Sequence, residues 1–315
     1  MVSRRYLRTK VMQAVFAYEA NEKEDIILGE KKLIASVEGC YRLFCYFLSL
    51  FPELKRNRLN KIEDLKSKNT LTYDDLHPNT KFVENQVIAQ IEDNIILNQL
   101  WNKYRIHWND QSDFIVQIFN EIALNLDFIQ YMENPERSYE EDKKIVLSIL
   151  ENVFAKSELL HWFLEEMNVH WFDDYNEALL MVYKNIQQFS LKKGDSNKIL
   201  PMYKDPIEDL KFYKTLYHQT VLNSEKFSTI IENKLQNWEL ERIMGIDMIL
   251  MKMAICEFVE FPEIPVKVTI NEYIELAKCY SSAKSGLFIN GMLDRIVVEL
   301  KDEGKLNKMG RGLIN

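Results

Sequence analysis

The chain has 315 residues, 47% of them apolar, with 40 Lys and Arg against 48 Asp and Glu for a formal net charge of −8 at pH 7. That apolar content builds one large core or two modest ones and excludes intrinsic disorder, while the acidity excludes indiscriminate binding to polyanions, whose affinity comes from phosphate neutralisation. Seven prolines and nine glycines are few for this length and period-two alternation is scarce, so the expected fold class is all-α.

The first twenty residues predict an amphipathic helix. Ser3 stands at a cap position, and Leu7, Val11, Ala14 and Tyr18 recur at three- and four-residue spacings. Arg4, Arg5, Arg8 and Lys10 fill its first turns, with no acid before Glu19. Cations there oppose the helix macrodipole, which favours anions at the N-terminus. They form either a solvated basic face or a site for an anionic partner.

Further helices are expected over 26–51, 80–105, 113–132, 140–166, 175–189, 207–222 and 225–238, with linkers at 57–79 and 191–206. The apolar run 43–51, ending at Pro52, falls far short of the roughly 20 residues a membrane span requires, and no secretory signal pattern opens the chain. A cytoplasmic protein without a membrane segment is expected. Cys40, Cys45, Cys256 and Cys279 lack Cys-x-x-Cys or paired-His spacing, so they read as free buried thiols and not as a zinc site or disulfide framework.

Residues 142–171 align without gaps to 209–238, matching Lys144 with Lys211, Glu158 with Glu225, Glu165 with Glu232, and the two tryptophans. A duplicated helical unit and chance similarity between amphipathic helices both account for this. No P-loop, G-x-G-x-x-G, G-x-S-x-G or H-E-x-x-H motif occurs and the five histidines are dispersed, so no catalysis, cofactor or metal is indicated.

Residues 265–300 predict a helical hairpin. Thr269 with Glu272 has the spacing of a capping box for the first helix, and Ser281 or Ser282 can cap the second. Ile270, Tyr273, Ile274 and Ala277 line one face of the first; Phe288, Met292, Ile296 and Leu300 repeat through the second. Gly286 and Gly291 each cost about 1 kcal/mol against Ala inside a helix, which suggests tight helix packing or ligand contact.

The run VKVTINEYIELAKCY followed by SGLFINGMLDRI resembles the C-terminal signature of the NusB family of transcription antitermination factors. LERIMGIDMILMKMAICEF resembles the family helix before it, and SRRYLRTKVMQAVFAYE is similar to the Arg-rich first helix. The resemblance implies a NusB-like helical bundle of two subdomains, discontinuous over 1–21 and 205–315, with an additional helical domain inserted at 22–204. It implies a noncatalytic factor that binds boxA-type single-stranded RNA with NusE, a ribosomal small-subunit protein, in the RNA polymerase elongation complex of rRNA operons.

On the same resemblance, Arg4, Arg5 and Arg8 match RNA-binding arginines, Phe288 matches the aromatic beside the RNA, and Lys278 and Asn290 supply polar contacts. Stacking on an aromatic with cations along the phosphates is how single-stranded RNA is held. Phe16 and Tyr18 fall where the family places aromatics near its protein partner, core packing being the other reading. Tyr6, Lys284 and Leu287 stand where the family often has a basic, an acidic and a basic residue. Two other functions stay open: a helical protein-interaction scaffold that has lost RNA binding, and an rRNA methyltransferase-associated domain, against which the lack of a Gly-rich cofactor unit after residue 300 counts.

Overall fold

A computed structural model of the chain describes residues 1–21, 25–66, 72–235 and 245–313. Among these every regular element is a helix, as an all-α fold requires. Contacts divide the chain into one unit of Glu38–Met202 and another of Val2–Val37 with Tyr203–Asn315.

Helix α1 (Arg4–Ala20) begins where Ser3 accepts a hydrogen bond from the Tyr6 amide. Helix α2 (Ile26–Lys66) does not stop at Pro52 but runs through it. A mid-helix proline removes one backbone bond; here Leu50, Phe51 and Leu54 on either side are fully buried, and that packing outweighs the loss. By length and composition α2 could cross a membrane, yet 67% of its apolar window lies inside the protein. Leu43, Phe44, Phe47, Leu48 and Phe51 spend their apolar surface on the core of the 38–202 unit.

That unit continues with α3 (Tyr73–Leu76), α4 (Gln86–Glu92), α5 (Ile95–Tyr104), α6 (Ser112–Ala123), α7 (Leu126–Glu133), α8 (Tyr139–Ser148), α9 (Glu158–Met167) and α10 (Trp171–Gln187). Three expected helices are therefore broken in two. The breaks fall at side chains that outcompete the backbone ladder. Asn94, fully buried, caps α5 through the Leu97 amide and donates to the carbonyls of Asp195 and Asn197. Asn85 and Asn125 cap α4 and α7 in the same way, and between α8 and α9 a π turn, Ile149–Val153, runs into a short 3₁₀ turn. Phe47, Phe154 and Tyr175 meet at the centre, with ring centroids 5.0 to 6.4 Å apart.

The second unit adds α11 (Pro206–Leu222), α12 (Ser224–Glu232), α13 (Gly245–Glu260), α14 (Val266–Tyr280) and α15 (Ser285–Asp302). Helix α13 is its axis. Leu250, Met251, Met253, Ala254, Ile255 and Cys256 are all buried, the pattern of a helix surrounded on every side, and it packs against α1, α11, α12, α14 and α15. Where α2 meets α11, a Cβ on Gly29 would lie 1.9 Å from the Tyr217 hydroxyl, so only glycine fits. Asp142 and Asp209, paired by the internal repeat, both sit in the first turn of a helix, and both carboxylates accept backbone amides. Trp238, the repeat's second tryptophan, and residues 239–244 of the expected α13 region lie outside the described residues.

None of the four cysteines is joined in a disulfide; Cys40, Cys45 and Cys256 are buried as expected, whereas Cys279 is exposed. Burial pushes the Cys45 and Cys256 thiols well above their ordinary pKa.

Candidate nucleic-acid interface

The hairpin of α14 and α15 forms, but its starts differ from the sequence signals. Helix α14 opens at Val266, three residues before Thr269, because Pro265 turns the chain into it. Thr269 and Glu272 are not a capping box: Thr269 is buried and donates its hydroxyl to Glu257, 2.8 Å away, and Glu272 binds Arg5. At α15, Ser281 and Ser282 bond the Ser285 hydroxyl, which in turn donates to Asp247.

The anions that the α1 arginines need are largely supplied by the chain itself. Arg4 reaches Asp209 at 3.3 Å and lies over the Phe212 ring, 4.5 Å from its centroid. Arg5 grips Glu272 through two hydrogen bonds of 2.9 and 3.0 Å, with half of its side chain still in solvent. Arg8 is different. Its side chain is only 3% exposed and makes two 2.8 Å bonds to Glu257, which is fully buried and also accepts from Thr269 and Tyr273. Burial alone would lower the pKa of Arg8, but the charge and hydrogen bonds of Glu257 hold it above the ordinary arginine value. Burial and then the Glu257 charge push the Tyr273 phenol up as well.

Arg8 therefore departs from the expected phosphate contact. Its guanidinium is held by the buried Glu257 on α13 and lies 3.6 Å from Glu272 on α14, so it fixes α1 to these helices instead of facing solvent. The sequence carried a signal for this: Glu257 is a lone acid in the apolar run of α13, and a buried charge must be paired. Lys10 is buried too, its ammonium 5.4 Å from the Tyr6 ring centroid.

Three of the remaining candidates, Arg5, Lys278 and Asn290, fall along one strip. From Arg5 it passes over Glu272 to Glu275 and Lys278 on the next turns of α14, the last two joined at 2.6 Å. Lys278 adjoins α15 at Gly286, where a Cβ would sit 3.8 Å from its stem and 3.6 Å from Ile274. Those are ordinary packing distances, so Gly286 marks a helix contact, while Gly291 faces open space. Asn290, one turn beyond Gly286, is half-buried on the same side. Phe288 is half-buried at the head of the Met292, Ile296 and Leu300 core stripe, with Leu287 exposed beside it. Near the end of α1, Phe16 is half-exposed and Tyr18 partly buried. Among the described residues no group of His, Cys, Asp or Glu could hold a metal ion.

Comparison with known proteins places this architecture. The profile of the NusB family matches residues 177–298, from within α10 to near the end of α15. The transcription antitermination protein NusB of Salinibacter ruber is 40% identical over 144 residues, 44% of this chain and 89% of that protein. NusB of Chloroherpeton thalassium is 41% identical over 114 residues, covering 35% and 54%, and that of Desulfatibacillum aliphaticivorans 38% over 104 residues, covering 33% and 73%. No solved structure matches. Most of the 38–202 unit lies upstream of the family match and remains an additional helical region. Since the chain aligns at 40% identity to nearly the full length of one NusB protein, it belongs to the NusB family.

Proposed function

We propose that the protein is a noncatalytic transcription antitermination factor that binds boxA-type RNA together with NusE in the elongation complex of rRNA operons. Family membership supports antitermination, and one observation supports the RNA face: Arg5, Lys278 and Asn290 follow one another along the strip from α1 to α15, with Phe288 half-buried in the same turn region of α15. Phosphates would exchange with Glu272 for the exposed Arg5 fork, and a base would stack on Phe288. Arg4 adds positive charge at the edge, while Arg8 contributes by holding α1 in place. Phe16 and Tyr18 are the protein-partner candidates on α1.

Anisotropy of a labelled boxA-type RNA, with and without purified NusE, tests this. Arg5→Ala should weaken binding and reduce the slope of log K against log salt by about 0.7, the value for one single-strand phosphate contact. Phe288→Ala should lose roughly 1–3 kcal/mol if one base stacks there. Unchanged affinity and slope in both variants, at unchanged melting temperature, would remove the RNA assignment. The scaffold reading draws on the internal pairing of Arg4, Arg5 and Arg8; it predicts NusE binding without any gain in RNA affinity.

A further inference from the structure

The unit spanning 38–202 contains 18 Lys and Arg against 26 Asp and Glu, so the chain's entire charge of −8 resides there and the remainder balances at 22 of each. Within it, residues 110–177 hold sixteen acids and only four bases. This acidic region also carries large apolar side chains in solvent: Leu124 is 80% exposed, Trp162 62% and Phe172 64%.

These features connect. A groove of about 560 Å³ lies between Leu124, at the α6–α7 corner, and Glu158, at the start of α9. The π turn before α9 contributes Asn152 and Val153 to its wall, and π turns inside helices are frequent at functional sites. From the groove, Glu158, Trp162, Glu165 and Glu166 are all exposed at the spacing of one face of α9. One residue before Trp162, His161 lies flat on the buried Tyr175, centroids 3.4 Å apart, which ties α9 to α10, and Phe172 and Asp173 are exposed in the turn of α10 before Tyr175.

The geometry points to a docking track for a Lys- and Arg-rich amphipathic protein helix, laid along α9 with its apolar residues on Leu124, Trp162 and Phe172. The charge selects this occupant. A nucleic acid or a second copy of the same acidic face is repelled, and a small polycation has no apolar groups to cover the aromatics. The ten residues of α9 extend about 15 Å, the length of three turns of a partner helix. This site is independent of the RNA strip, which belongs to the other unit.

The full chain can be titrated with a fluorescent 18-residue peptide carrying Leu at i, i+3 and i+4 positions and Lys or Arg elsewhere, and with a counterpart in which Ser replaces Leu. The Leu peptide is expected to bind at least tenfold tighter than the Ser peptide, and Trp162→Ala with Phe172→Ala to abolish that difference while circular dichroism is unchanged. Glu165→Gln with Glu166→Gln should weaken both peptides and flatten their salt dependence. Equal affinity for the two peptides overturns the proposal, as does an unaltered preference in the aromatic double variant. Self-association of the chain that the same double variant abolishes would assign the track to a second copy and likewise overturn it.

Discussion

Arg8 and Arg5 lie one turn apart on α1, are both expected from the sequence resemblance to contact RNA, and should behave oppositely when truncated. Arg8→Ala removes the partner of a fully buried Glu257 while leaving Thr269 and Tyr273 aimed at its carboxylate. Breaking such a pair from one side costs about 3–5 kcal/mol, because an uncompensated charge stays buried. At roughly 2–4 °C per kcal/mol for a domain of this size, the melting temperature of this unit should fall by about 10 °C. Arg5→Ala breaks a pair in which the arginine is half-exposed, worth about 0–1 kcal/mol, and should shift melting by no more than a few degrees. Differential scanning calorimetry of both variants measures the contrast. Adding Glu257→Gln to Arg8→Met should restore most of the loss, since the amide carries no charge, accepts from one of the two hydroxyls of Thr269 and Tyr273 and donates its N–H to the oxygen of the other. If Arg8→Ala melts like the parent, or Arg5→Ala costs as much as Arg8→Ala, the division into a structural and a surface arginine is wrong.

Other consequences follow from single contacts. Glu272→Gln should leave stability nearly unchanged but raise RNA affinity several-fold by freeing Arg5; weaker binding would mean that Glu272 orients Arg5 for the ligand. Gly29→Ala should destabilise by about 1–3 kcal/mol through overpacking, and Tyr217→Phe, by removing the atom 1.9 Å from the new Cβ, should recover part of it; an additive double variant would contradict this. Hydrogen bonds from Lys214 and then His218 hold the Glu30 pKa below its ordinary 4.5. A depressed carboxylate contributes stability that is complete above its unfolded value and disappears as pH falls through the folded one. Urea titrations should therefore show stability declining below about pH 4.5, and Glu30→Gln should make that decline shallower; an identical pH profile would count against the pairing.

The sequence by itself determined the helical class, the hairpin over 265–300 and the family, because periodicity and a long ungapped motif are local properties of the chain. It also marked α1 as a helix whose N-terminal cations form either a solvated basic face or a site for anions. Which anions these are was decided only by tertiary structure: Asp209, Glu272 and Glu257 come from positions 205 to 267 residues away and meet α1 only after the chain closes on α13. The same holds for Thr269 and Glu272, whose spacing mimics a capping box but whose side chains are drawn to Glu257 and Arg5 by buried and charged partners stronger than a local amide. The helix starts at Asn85 and Asn94 and the continuation of α2 through Pro52 were not legible for a related reason. A capping asparagine or a helix-interior proline is resolved by the contacts of its neighbours, and those contacts exist only in the folded core.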